Sequence, residues 1–270
     1  MYIKNGHFLK VLAISAPHWP TNPSDEHYEH HLNSSTPFSL QNAIRAAASC
    51  ALSKNGPWGN SNWATKEGLY DSVFMSDYLN ETLSWLKNRI KNTDIIFIGA
   101  MSISMKGAIE VAKFIKNFKQ EIFIILGRKH TLETMFVDKS GEFCVLDSSP
   151  LQQMKSHNIN KCFDMVVSGD GEFIIKSIGE AIHELKKDNV DPKTYIDSLF
   201  YDPHVTECLK SSSPGDWIIA ALNKDNEYIF VSEESPMDID KILYPVEIFP
   251  ITSNFPVFNC DFTVHLYSYT

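Results

Sequence analysis

Two stretches decide the fold of this chain: "DIIFIGAMSIS", Asp94 to Ser104, and "DMVVSGDGE", Asp164 to Glu172. Each is a short apolar run that ends in small residues and then opens an amphipathic helix. Between them "EIFIILGRKH", Glu121 to His130, reads as a third strand of this kind ending at a glycine, and "FLKVLAISAPH", Phe8 to His18, reads as a fourth. Unbroken runs of Ile, Val, Leu and Phe at strand length imply strands buried on both faces, which requires helices above and below a mostly parallel sheet. In an open sheet of this type ligands sit beyond the carboxyl ends of the strands. There the loops at Ser15–Pro20, Ala100–Ser104, Gly127–His130 and Ser168–Glu172 are expected to converge.

Helical periodicity fills the gaps. Leu40, Ile44, Ala47, Ala48 and Ala51 make one stripe, with Thr36 or Ser39 as its cap and Pro37 in the first turn. Leu79, Leu83, Leu86 and Ile90 make a second. Met105, Ala108, Ile109, Ala112 and Ile115 make a third, and Ile174, Ile178, Ala181, Ile182 and Leu185 a fourth. The segment from Asn55 to Asp77 is the least regular part of this half, with a weak strand expected over Leu69–Met75 at the sheet edge. After Lys187 the pattern changes. "DNVDPKTYIDSLFYDPHV" has two prolines and no sustained period, so the α/β unit is expected to span residues 1–188. In 189–270, "DWIIAALNKDNEYIFVSEE" reads as a β-hairpin turning at Asn223–Asn226, followed by a proline- and aromatic-rich extended strap.

Composition excludes several classes. The formal charge of −9 over 270 residues comes without a basic stripe, which argues against a nucleic-acid groove. Five widely spaced cysteines form neither a disulfide framework nor a CxxC knuckle and are expected to be reduced thiols of a cytoplasmic protein. The apolar run at the N-terminus is only strand length, and no segment is long enough to span a membrane.

The order of these parts resembles the N-terminal domain of cobalamin-dependent radical SAM enzymes. In that family the third strand usually ends in Gly-x-Ser or Thr, the fourth in Gly-Gly-x-His and the fifth in Gly-Glu-Gly-Glu; "GAMS", "GRKH" and "GDGE" stand at those places here. The strap "MDIDKILYPVEIFPI" resembles the family's linker into its catalytic barrel. The resemblance implies a flavodoxin-like, doubly wound sheet that binds cobalamin through its strand-end loops. The residues it singles out are His18, Gly99, Ser102, Ser104, Gly127, Arg128, His130, Gly169, Asp170, Gly171 and Glu172. It further implies a radical SAM catalytic domain or chain as partner; independently, the strap's aperiodic apolar run exposes apolar surface unless something covers it, and offers a surface for self-association.

Two departures from the family matter. A radical SAM barrel holds its iron–sulfur cluster with CxxxCxxC, leaving one iron for S-adenosylmethionine. No such triplet occurs in this sequence, so cluster and S-adenosylmethionine belong to a site that another segment or chain would supply, and no radical SAM activity is expected from these residues alone. Methyltransferase-type cobalamin domains also carry Asp-x-His-x-x-Gly after the first strand, whose histidine ligates cobalt and whose aspartate orients it. In "APHWPT" Ala16 replaces the aspartate and Thr21 the glycine, so cobalamin is expected in a base-off form and His18 reads as a loop histidine. Arg128 takes the place of the family's second glycine, where it would either pair with a corrin amide or block the pocket. Asp170 and Glu172 read as caps of the following helix rather than as an acid–base pair. "DEHYEHHLN", Asp25 to Asn33, reads as a solvated polar loop, although His27 and His31 are spaced as metal ligands on a helix would be. The alternative to a cofactor module is a degenerate, cobalamin-free interaction domain that docks a separate catalytic chain.

Overall fold

The computed structural model describes residues 9–18, 58, 61–188, 190, 194–237 and 240. The stripe at 40–51, the polar loop at 25–33 and the strap beyond 240 lie outside them. The four apolar runs form strands β1 (Val11–Ser15), β3 (Ile95–Gly99), β4 (Phe123–Gly127) and β7 (Met165–Gly169), joined at one edge by β2 (Val73–Met75). These five are parallel in the spatial order β2-β1-β3-β4-β7. Counted along the chain that order is 2-1-3-4-5, the flavodoxin-like doubly wound arrangement. Strands β8 (Asp216–Leu222) and β9 (Tyr228–Glu234) extend the sheet to seven, antiparallel to β7 and to each other, as the expected hairpin.

Side chains alternate between two cores. Val11, Ala13, Ile95, Phe97, Phe123, Ile125, Met165 and Val167 face one layer, which contains α6 (Gly171–Lys187), α7 (Tyr195–Tyr201) and α8 (Pro203–Ser212). Leu12, Ile14, Ile96, Ile98, Ile124, Leu126 and Val166 face the other. That layer contains α2 (Leu79–Lys87), α3 (Met105–Phe118) and α5 (Pro150–Lys155). This alternation with both faces apolar is why the runs read as unbroken hydrophobic sequence. The three stripes within the described residues behave as expected: Leu86, Ala108, Ala112, Ile115, Ile174, Ile178 and Ile182 are fully buried.

Three regions depart from the sequence reading. Residues Lys66–Ser72 are a helix, α1, capped by the Thr65 hydroxyl, so the edge strand is confined to Val73–Met75. The strand stops short because Asn62 takes its place beside β1: its amide accepts from Val11 N–H at 2.8 Å and donates to Val11 C=O at 2.9 Å. A side-chain amide thus mimics one residue of a strand. The aromatic approach to it is core, with Trp58 and Trp63 stacked at 5.3 Å and Trp58 Nε1 donating to the Lys176 carbonyl. The segment after Lys187, read as aperiodic, contains α7 and α8; Asp202 caps α8 ahead of Pro203, so the proline that looked like a breaker is a helix start. Between β4 and β7 the chain adds the short helix α4 (Lys129–Thr134) and a two-stranded ribbon, β5 (Met135–Val137) and β6 (Phe143–Val145).

Among the described residues no helix is long and apolar enough to cross a membrane. Cys144, Cys162 and Cys208 are free thiols.

Candidate functional site

The parallel strands end in register: Ser15 is level with Gly99, and Gly99 with Gly127. Above Gly99, Gly127 and Gly169 opens a cleft of about 270 Å³, floored by Phe97, Ile125 and Val167 and walled by α4 and the start of α6. Its polar lining comes from Arg128, Lys129, Asp170 and Glu172. The cleft lies where a doubly wound sheet presents its carboxyl ends, as the loop order implied.

The glycines at these strand ends play different parts. A β carbon on Gly127 would meet only the Val167 carbonyl oxygen, at 3.7 Å, so that position is open space belonging to the cleft. Gly169 is structural instead: φ is +83°, and a β carbon would overlap the Asp216 carbonyl oxygen, because β8 crosses there. Arg128 has φ 91° and ψ −166°, a backbone conformation essentially reserved for glycine. The backbone after β4 therefore takes a glycine-type conformation at residue 128 although that residue carries a guanidinium.

The remaining sequence-predicted residues divide. His18 is not in the cleft lining. Its amide donates to the Asp77 carbonyl at 3.0 Å, and its imidazole, 4% exposed, has Nδ1 3.5 Å from the Asp77 carboxylate. Pro17 lies over Gly107 of α3, where a β carbon would overlap the Pro17 carbonyl. Ser104 closes a local turn, its hydroxyl accepting from Met101 N–H at 3.0 Å. Ser102 Oγ lies 3.0 Å from His130 Nδ1 and 2.9 Å from Glu133 Oε2, while His130 Nε2 lies 3.2 Å from the Ser148 carbonyl. Ser102, His130 and Glu133 thus form a cluster at the end of β3, outside the cleft lining. Among the described residues no group of three His, Cys, Asp or Glu side chains is placed to hold a metal ion.

The two carboxylates after β7 have different jobs. Asp170 is the residue before α6, yet its side chain makes no capping bond; it accepts from Asp216 N–H at 2.9 Å and so ties β7 to β8. The expectation of a cap fails there because β8 offers its amide first. Glu172 is the capping member. Burial pushes its carboxyl above the ordinary range and the neighbouring Asp170 charge adds to this, while the N–H groups of Glu172 itself and Gly171 partly hold the charged form. His130 is displaced the other way: burial holds its imidazole below the ordinary value, against the Ser148 carbonyl and Glu133. Sequence reasoning missed Glu133, Ser148 and Leu132. The first two act through spacing across a turn and a ribbon, which no local pattern encodes.

No family model and no curated protein matches the sequence. Among solved structures, the C-terminal domain of the coenzyme A biosynthesis bifunctional protein CoaBC aligns over 87% of this chain and 91% of that one, at 10% identity and a TM-score of 0.31. The superposition is shallow, so the fold assignment stands on the strand order.

Proposed function

We propose that the chain is a cobalamin-binding module serving a radical SAM-type catalytic domain or chain, and that it is not catalytic in that chemistry by itself. The observation that carries this reading is the glycine-type backbone conformation of Arg128 beside an open cleft, in the place where the resembled family has its second glycine. The fit is to the nucleotide tail of the cofactor. A cleft of about 270 Å³ with an apolar floor would take a flat base and its ribose. Gly99 and Gly127 would let the tail approach the backbone, and Arg128 would face a corrin amide. Bound cobalamin would supply methyl-transfer or redox chemistry at its cobalt; the residues here bind and orient it. His18 is held by Asp77, and its loop by the close approach of Pro17 to Gly107, which supports a base-off form.

Mixing the protein with hydroxocobalamin and desalting tests the reading: a retained red chromophore with a base-off spectrum is expected, and a colourless protein ends it. One observation favours a second reading, a cobalamin-free interaction domain: the Arg128 side chain lines the cleft itself. Arg128→Gly separates the two. If the guanidinium pairs with the cofactor, the change weakens binding by about a charged hydrogen bond, ~1.5–3 kcal/mol. If it fills a vestigial pocket, the change creates or strengthens binding.

A further inference from the structure

The cluster at the end of β3 has a different chemistry from the cleft. Ser102 is exposed and lies in the turn from β3 into α3, with its hydroxyl 3.0 Å from Nδ1 of His130, which is only 7% exposed. The tautomer follows from the far side of the ring. Nε2 faces the Ser148 carbonyl at 3.2 Å, and a carbonyl only accepts, so Nε2 carries the proton and Nδ1 presents its lone pair to Ser102. Both partners are fixed by backbone. Met101 and Ser104 bond reciprocally across Ser102, and the His130 amide donates to the Ala100 carbonyl at 3.3 Å. A nucleophile, a base within hydrogen-bond reach and a third group orienting the base are the parts of an activated hydroxyl.

We infer that Ser102 is a nucleophile activated by His130, and that the pair accepts acyl groups from small carboxylic esters with an apolar acyl chain. The acyl preference comes from Ile103, the chain neighbour of Ser102, which is 59% exposed. Ser102 Oγ attacks the ester carbonyl carbon and its proton passes to His130 Nδ1. The carbon–oxygen bond to the leaving alcohol breaks, and the alcohol takes that proton. Water, deprotonated by the same nitrogen, then cleaves the acyl-serine bond and regenerates the hydroxyl. The transient charge on the carbonyl oxygen develops near the N-terminal end of α3, which begins three residues after Ser102. Glu133 is a positioning residue with an opposing effect. Its Oε2, 2.9 Å from Oγ, competes with Nδ1 for the single serine proton, while Lys129, 3.7 Å from Oε1, tempers that charge.

A fluorophosphonate probe tests this on the intact chain, with the adduct mapped by peptide mass. The expected result is one adduct, on Ser102, absent in Ser102→Ala and formed at least about a hundredfold more slowly in His130→Gln. Glu133→Gln, which leaves His130 in place, is expected to label several-fold faster, because the competing acceptor is weakened. The wild-type rate is expected to rise with pH through one step on the acid side of an ordinary histidine, since burial keeps the imidazole neutral. No adduct on Ser102, labelling indifferent to His130→Gln, or slower labelling in Glu133→Gln would each overturn the inference. None of these readouts involves cobalamin.

Discussion

Pro17 rests directly on Gly107: a β carbon at residue 107 would occupy the space of the Pro17 carbonyl oxygen. The loop carrying His18 is therefore positioned by the absence of a side chain in the first turn of α3. Alanine is the better helix former by about 1 kcal/mol, so an isolated helix would gain from Gly107→Ala. In this protein the overlap is with backbone and has no flexible end to yield. Gly107→Ala is expected to destabilise by about 1–3 kcal/mol, seen as a lower urea midpoint, because overpacking outweighs propensity. An increase in the midpoint would mean that the β1 loop is free to move off the helix.

The parallel sheet was legible because each of its four long strands is apolar on both faces, and because Met105, Ala108, Ala112 and Ile115 repeat at the period of a helix. Cues that depend on partners distant in sequence were not legible. Asn62 completing a strand edge, Asp170 turning from its helix to Asp216, and Ser148 orienting His130 are each set by an element elsewhere in the chain. Pro203 misled for a local reason, since proline starts a helix as readily as it ends one. Of the candidate site, the glycines and Arg128 were legible as strand ends. The division of labour between Asp170 and Glu172 was not.

A repeated device holds the opposite end of the sheet. Asp94 Oδ2 accepts from the amide of Lys10 and from Lys186 Nζ, each at 2.7 Å, while Asp164 Oδ2 accepts from the amide of Ile124 at 2.7 Å and from Lys116 Nζ at 2.6 Å. In both cases an aspartate at a strand entry joins a neighbouring strand to a helix. The leading aspartates of "DIIFIG" and "DMVVSG" thus carry information that their apolar runs do not. Lys116→Met is expected to lose about 3 kcal/mol, since it leaves a poorly solvated carboxylate without its cation. Lys224→Met, which breaks the exposed pair with Asp197, is expected to lose nothing measurable. Equal losses in chemical denaturation would remove the distinction.

Thiol chemistry gives a check on the second core layer. Burial pushes the Cys162 thiol up to about 12, with Asp164 adding and Lys113 and Lys116 opposing, and the side chain is among the core residues. Cys208 lies exposed on α8. Iodoacetamide at pH 8 is expected to alkylate Cys208 in the native protein and Cys162 only after denaturation, because the thiolate is the reactive form. Rapid native alkylation of Cys162 would show that α3 and α5 open readily.

Arg128 offers a stability test independent of any ligand. A non-glycine residue held in a glycine-only region stores about 1–3 kcal/mol. Arg128→Gly relieves that strain and loses some unfolded-state restriction, an opposing effect of up to about 1 kcal/mol. A net rise in the thermal midpoint is expected. A fall would mean that contacts of the guanidinium outweigh the strain of its backbone.

Glu172 fixes the sign of the site's pH dependence. Its folded-state carboxyl is raised above the ordinary 4.5, with burial as the largest cause, opposed by its own backbone N–H and aided by the Asp170 charge. The folded protein therefore binds this proton more tightly than the unfolded chain does. The resulting stability is fully present below the unfolded value and is lost as pH rises through the folded one. Glu172→Gln removes the titration while keeping an oxygen to accept from the start of α6. The thermal midpoint of wild type minus that of Glu172→Gln is then expected to fall as pH is raised from about 4 to 7, in the carboxyl titration range. Groups common to both proteins cancel in that difference. A difference that instead grows with pH would mean that the charge is favoured in the folded state, as a carboxylate held mainly by the positive end of α6 would be, and that the wall of the cleft is well solvated.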